Sequence, residues 1–501
     1  MTSVSLGSAT EPTVADVVLV GAVSTDRGIA LAPGAGPIDA ALGGGLLAAL
    51  RTVEAAGRLD EVTRLPTFGV TGTPLVVVTG LGRLGGSQLN PEAVRRGVGA
   101  AFRSLNQAKR VRIAIGEGTD PELVGAISDG ALLGCYRFTR FKSGAKPAVS
   151  KRVEIAVTRP AEPAARAALR RSKIVAEAVN NTRDLVNMPA NLLNPITFAE
   201  YARVQGEAAG LIVQVLDERA LKRGGYGAIL GVGAGSATPP RLVRLSYTPA
   251  KAVGPGRSVA LVGKGITFDT GGLDLKLSQM GLMKSDMGGA AAVIESVIAA
   301  AKLKLPVAVT ATVPMAENAV SGTSYRPSDV LVMHDGRTVE VDNTDAEGRL
   351  ILADAILRAC EDSPDYLIDA ATLTGAQLVA LGEHTSGAMG TEAFRDEVVA
   401  AGLAAGESLW AMPLTDDLRP RLDSAVADIT NLAKERWGSM LVAGSFLRDF
   451  VADGVQWAHL DIAGPALAAS ATGYNQRGGT GVIVRTIIAT LTRIAEADRS
   501  A

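Results

Sequence analysis

The sequence predicts an α/β protein of two domains. The first is a smaller N-terminal α/β domain, and the second is larger, with a mixed, mostly parallel sheet flanked by helices on both faces. Three observations predict it. A chain of 501 residues exceeds what one hydrophobic core usually organises, which makes two domains the expectation. With 47% apolar residues but only 4% aromatic ones, the cores must be built from Ala, Val, Leu and Ile, a composition common in α/β folds. Continuous apolar runs of strand length alternate with helical patterns, as strands buried on both faces require.

The first domain is read over residues 1–160, with β-rich runs at 17–23, 75–79, 111–115 and 153–157. Asn90-Pro91-Glu92, ahead of a helical pattern at 93–105, supplies an N-cap, a proline at the first helical position and an early acid. Residues 161–187 carry helical spacing with charges on one side and read as a connecting helix. Met188-Pro189 and Asn194-Pro195 break it, because a residue preceding proline is driven out of helical geometry. The second domain is read over 188–501, with strands at 212–216, 241–247, 258–262, 307–312, 366–371 and 457–462. Helices are predicted at 290–303, 350–359 and 394–404. In such sheets ligands gather outside the carboxyl ends of the strands.

A formal charge of −1 removes bulk attraction to nucleic acid or anionic membrane, so neither partner is expected. Cys135 and Cys360, far apart in apolar contexts, read as buried free thiols in a reducing compartment. The N-terminal stretch lacks a basic region followed by an apolar core, and no apolar run reaches membrane length, so a soluble cytoplasmic protein is expected. His334, His384 and His459 are too scattered to form a helical pair, and a metal site here must be mainly oxygen-ligated. His334 and His384 read as turn residues, and His459 as a satisfied core histidine.

Gly80-Leu81-Gly82-Arg83-Leu84-Gly85 matches the dinucleotide fingerprint directly after a strand. In that fold the third glycine lies in the opening turn of a helix, with an acid about 20 residues on. Here the helix begins only near Asn90, and the next acid beyond Glu92 is Glu117. The loop therefore reads as a decoy, and nucleotide binding is the secondary alternative.

Two charged stretches carry the chemistry. Residues 341–350, VDNTDAEGRL, place Asp345, Glu347 and Arg349 in a loop feeding an apolar helix that begins at Leu350. Alternate residues of an extended loop point the same way, and acids there suit a helix dipole or a metal equally well. Residues 258–289 run from a buried-strand pattern into a loop holding Lys264, Asp269, Lys276 and Asp286. Flanking glycines let backbone approach a ligand. Asp269, Asp286, Asp345 and Glu347 offer enough oxygen ligands for two divalent cations, which at roughly 3.5–4 Å apart clamp a water and the atom it attacks. Without cations the carboxylates would repel one another and take up protons, and the lysines could serve as counter-ions.

The set VGKGITFDTGG (262–272), KSDMGGAA (284–291), NTDAEGRL (343–350), DAATLTGA (369–376) and WAHLDIAG (457–464) closely resembles the leucyl aminopeptidase family, also called cytosol aminopeptidases. NMPANLLNP (187–195) extends the likeness. The resemblance implies a hydrolase that removes the N-terminal residue, Leu and other mainly apolar residues, from peptide substrates by a metal-activated water. It implies two divalent ions, Mn or Zn with Mg or Co as alternatives, bridged by Asp269 and Glu347. Asp345 completes one site, and Lys264 and Asp286 the other. Lys264 ligates only as the neutral amine, so its pKa must be depressed by the metals.

By the same resemblance, Lys276 polarises the scissile carbonyl and Arg349 holds a bicarbonate that acts as general base. An arginine cannot accept the proton itself, but it holds such an anion in bidentate fashion. Met283, Thr372, Leu373 and Gly375 would line the pocket for the first side chain and bond the substrate backbone, and the assembly would be a homohexamer. Some bacterial relatives add a DNA-binding role, which near-neutral charge disfavours here. Thr270 stands where serine is commoner in the family, and the loop from Lys276 to Asp286 is one residue shorter than in many members.

Overall fold

A computed structural model describes residues 2–11, 14–84, 88–144, 149–250 and 257–500. The chain forms two units, Met1–Asn180 with Ala469–Arg477, and Asn181–Ala468 with Gly478–Ala501. The predicted connecting helix is a continuous helix over Pro163–Asn187, and the division between units falls inside it.

The first unit is built on a sheet ordered Ser3–Ser8, Arg152–Val157, Arg110–Ala114, Val17–Thr25, Leu75–Arg83, Val62–Pro66, with Gly28–Leu31 paired to Val17–Thr25. Strand Val17–Thr25 shows why it reads as a continuous apolar run. Val17 and Leu19 enter one core with Phe102 and Ile127, while Val18 and Val20 enter another with Leu46 and Leu50. Alternate residues of a strand face opposite ways, so both faces need apolar side chains. Asn90 caps helix Pro91–Ser104, its Oδ1 accepting the N–H groups of Glu92 and Ala93 at 2.9 and 3.1 Å. Asp120-Pro121-Glu122 starts helix Pro121–Gly134 by the same device.

Strand Leu75–Arg83 runs straight through Gly80 and Gly82. At Gly80 a Cβ would collide with the carbonyl of Arg58, so this glycine serves close backbone packing and forms no phosphate loop. Gly85 of the fingerprint lies outside the described residues.

In the second unit the main sheet runs Leu409–Ala411, Ser386–Gly390, Gln456–Asp461, Tyr366–Ala371, Ser258–Gly263, Ala308–Asn318, Arg241–Tyr247, Ile212–Leu216. The four central strands, Gln456–Asp461 to Ala308–Asn318, are mutually parallel, and antiparallel pairs join them to the strands on either side. Helices Gly288–Leu303 and Glu347–Cys360 both pack on strand Ser258–Gly263. Ala260 and Val262 join the core of the second helix, and the buried Val259 and Leu261 alternate to the other side.

Three differences from the sequence reading matter for the site. Strand Ala308–Asn318 has 11 residues and carries Asn318 to the carboxyl edge of the sheet. A short strand, Gly265–Asp269, pairs with its far end, so Lys264 sits at a break between two strands sharing one neighbour. Asn194-Pro195 does not only break a helix. Asn194 and Thr197 form a capping box that starts helix Pro195–Ala208. Both cysteines are free, and each is half-buried rather than fully enclosed. No described helix is long and apolar enough to cross a membrane.

Candidate metal centre

Asp269 ends strand Gly265–Asp269, Asp286 follows the 3-10 turn Met280–Ser285, and Asp345 lies in the turn before helix Glu347–Cys360. Glu347 is the first residue of that helix and Arg349 lies in its first turn. The two acids therefore do not converge by alternation along an extended loop, as the sequence suggested. A turn followed by the opening of a helix brings them together, which also places Glu347 at the positive end of the helix dipole.

One carboxylate oxygen each from Asp269, Asp345 and Glu347 lies within 4.8 Å of the others. Two lysines are threaded through the acids. Lys264 Nζ is 2.8 Å from Asp286 and 2.9 Å from Glu347 Oε1, and it also donates to the carbonyl of Thr372 at 3.0 Å. Lys276 Nζ is 2.8 Å from Asp269 Oδ2 and pairs with Asp345. Both lysines thus lie in ion-pair contact with two acids each.

Burial, with repulsion between neighbouring carboxylates added to it, sets the charges of the cluster. Burial, reinforced by the Asp269 carboxylate, pushes Glu347 up to about 8. Burial likewise raises Asp286 to about 6 against the pull of Lys264, and raises Asp345 with Asp269 adding to it. Burial works to lower Lys264, but Asp286, Glu347 and Asp269 outweigh it and hold the ammonium above its ordinary range. Arg349 is pulled down to about 10 by burial, opposed by Glu347 and Asp461.

These donors fit divalent cations. Glu347 Oε2 and Asn318 Oδ1 are buried without a hydrogen-bond partner, and Asp286 Oδ2 takes no hydrogen bond beyond its ion pair. Buried acceptors left bare are costly unless something electropositive meets them. Hard oxygen donors at this spacing suit Mn, Mg or Zn.

Several supporting residues escaped the sequence reading. Asn318 Nδ2 donates to Asp269 Oδ1 and to the carbonyl of Thr344, each at 2.9 Å. The Thr344 hydroxyl donates to the Gly271 carbonyl at 2.7 Å, and Tyr325 OH to the Thr344 carbonyl at 2.7 Å. Arg349 Nη1 donates to the Asn431 carbonyl at 2.7 Å. Thr344 lay within a motif already singled out. Asn318 and Asn431 carry no local signal, since their partners are remote in the chain.

Of the predicted pocket residues, Thr372 is nearly buried, its hydroxyl donating to Asp286 Oδ1 at 2.8 Å. The Leu373 N–H donates to Asp461 Oδ1 at 3.2 Å. Gly375 opens helix Gly375–Leu381 with open space where a Cβ would stand. Met283 is half-buried in the turn before Asp286. His459 is fully buried, its Nδ1 2.5 Å from Asp369 Oδ1. Burial lowers its pKa, but Asp369 outweighs burial and the net direction is up.

The signature of the cytosol aminopeptidase family, catalytic domain, matches residues 180–488, and that of its N-terminal domain matches residues 17–145. The chain belongs to the cytosol aminopeptidase family. A probable cytosol aminopeptidase of Rhodococcus opacus is 51% identical over 494 residues, spanning 96% of this chain and 95% of the relative. One from Rhodococcus jostii is 52% identical over 487 residues with the same coverage.

Among solved structures, the bottromycin maturation enzyme BotP in complex with Mn superposes with a TM-score of 0.83 at 37% identity, covering 96% of this chain and 99% of that one. A mutant of tomato leucine aminopeptidase reaches a TM-score of 0.88 at 31% identity, covering 98% and 97%. This family member is a metallo-aminopeptidase, a hydrolase.

Proposed function

We propose that the chain is a two-metal aminopeptidase of the cytoplasm that removes N-terminal Leu and other mainly apolar residues from peptides. The observation that carries this is the convergence of Asp269, Asp345 and Glu347 oxygens within 4.8 Å, beside the buried Glu347 Oε2, which has no hydrogen-bond partner. Asp269 and Glu347 would bridge two ions, Mn or Zn by preference, with Asp345 on one side and Lys264 and Asp286 on the other. When bound, the ions would polarise the scissile carbonyl and lower the pKa of a water.

The chain's own side chains supply the rest. Lys276, beside Asp269 and Asp345, would donate to the scissile carbonyl oxygen and stabilise charge developing there. Arg349, buried beside Glu347, would hold a bicarbonate, which would supply general-base chemistry toward water. Met283, Thr372, Leu373 and Gly375 form the wall for the first residue of the substrate. The active assembly is a homohexamer, checked by sedimentation; a stable monomer at micromolar concentration contradicts it.

The test is hydrolysis of leucine p-nitroanilide with added Mn or Zn, before and after chelation, beside the N-acetylated substrate. Cleavage that vanishes on chelation and spares the acetylated compound is the expected result. Activity surviving chelation overturns the reading.

A further inference from the structure

Asp461 has no role in the reading above, yet it is a fully buried carboxylate at the carboxyl edge of the sheet. It ends strand Gln456–Asp461 opposite Ala371 of the neighbouring parallel strand, beside the turn that follows Ala371. Its Oδ1 accepts the Leu373 N–H at 3.2 Å and the Ala463 N–H at 3.3 Å, and its Oδ2 accepts the Thr374 hydroxyl at 2.7 Å. Burying a carboxylate is unfavourable unless its hydrogen bonds need the charge.

The Leu373 N–H belongs to the same peptide group as the Thr372 carbonyl. In a trans peptide the two point in opposite directions. On one side of this plane stands Asp461, and on the other Lys264 Nζ donates to the carbonyl at 3.0 Å. A carboxylate drawing on the N–H polarises the peptide and strengthens the carbonyl as an acceptor.

We infer that Asp461 is a positioning residue for Lys264, acting through the Thr372–Leu373 peptide. It holds the Thr372 carbonyl where it takes one N–H of the Lys264 amine, which turns the remaining lone pair towards a cation between Asp286 and Glu347. The inference rests on the two-ion reading of the site. The hydrogen bonds of Asp461 go to Leu373, Thr374 and Ala463, and its effect is that of an outer residue orienting a ligand.

The test uses the full chain stripped by chelator and titrated with Mn alone against a chromogenic chelator, beside kinetics on leucine p-nitroanilide. Asp461→Asn should bind the weaker of two Mn ions about 10-fold less tightly, with kcat lowered at subsaturating Mn and restored at saturating Mn. Gln377→Leu is the control for plain structural damage. Gln377 anchors the same turn to Gly464 and Thr385 without touching the 372–373 peptide, so this variant should melt earlier but keep Mn affinity.

Should Asp461→Asn fail to fold, Asp461→Ser carries the same expectation. Unchanged Mn affinity in the folded Asp461 variant, or an equal loss in Gln377→Leu, overturns the inference and leaves the two-ion reading standing. An unsubstituted chain that binds no Mn overturns both.

Discussion

Glu347 Oε1 lies 2.9 Å from Lys264 Nζ, while Glu347 Oε2, buried on the same side chain, has no hydrogen-bond partner. This half-satisfied pair makes metal loading an exchange of protons for cations. Burial with Asp269 lifts Glu347 to about 8, and burial lifts Asp286 to about 6. The folded metal-free chain thus keeps protons that the unfolded chain has already released. That stabilisation is full below the ordinary carboxylate range and is lost as pH rises through about 6 and then about 8. Chelator-treated protein should therefore melt at falling temperature from about pH 5 to about pH 8, and saturating Mn should flatten or reverse the slope. Thermal melts across pH, with and without Mn, decide this; a metal-free melting temperature that climbs over the range contradicts it.

Lys276 pairs with Asp269 and Asp345 at the cluster. Lys276→Ala should lower kcat by roughly 10²–10³-fold, the cost of removing a preorganised donor to a developing oxyanion. Glu347→Ala should abolish turnover by removing a carboxylate at the centre of the acid cluster. Circular dichroism of both variants should match the unsubstituted chain, and substantial turnover in either would remove that residue from the chemistry.

Arg349 donates Nη1 to the Asn431 carbonyl and has a buried Nε without a hydrogen-bond partner, an arrangement suited to an anion. Arg349→Ala should lower kcat by roughly 10²-fold or more, the range for loss of general base catalysis. The unsubstituted enzyme should lose rate in carbonate-free buffer and recover it with added bicarbonate, and the variant should not respond. Rates indifferent to bicarbonate in the unsubstituted enzyme would assign the arginine another task.

Asn318 holds Asp269 to the Thr344 carbonyl from full burial. Asn318→Ala deletes a hydrogen bond to a carboxylate, worth roughly 1.5–3 kcal/mol, and lets Asp269 rotate away from Glu347. The expected result is metal affinity weaker by roughly 10–100-fold with a modest fall in melting temperature. Isothermal titration with Mn checks it, and unchanged affinity would make Asn318 a packing residue only.

Much of this was legible before any coordinates. Alternation of apolar strands and helices announced a sheet covered on both faces, because burial on each side demands an unbroken apolar run whatever the rest of the chain does. Asn90-Pro91 and the 163–187 helix followed from local rules of capping and periodicity. The residues expected to hold metal, Lys264, Asp269, Asp286, Asp345 and Glu347, stood out in the sequence as two charged stretches, and the fold brings Asp269, Asp345 and Glu347 together.

What the linear pattern could not carry is how those stretches meet. Glu347 proved to open a helix rather than finish a loop, because hydrogen bonding beyond position 350 propagates backwards into the charged segment. Asn318, Asn431 and Asp461 look like ordinary strand-end residues. Each reaches a partner far along the chain, respectively Asp269, Arg349 and the Leu373 amide. Local preferences are written in neighbouring residues, so a sequence displays them directly. Pairings across the carboxyl edge of a sheet depend on strand order and register, which the packing of the whole unit sets.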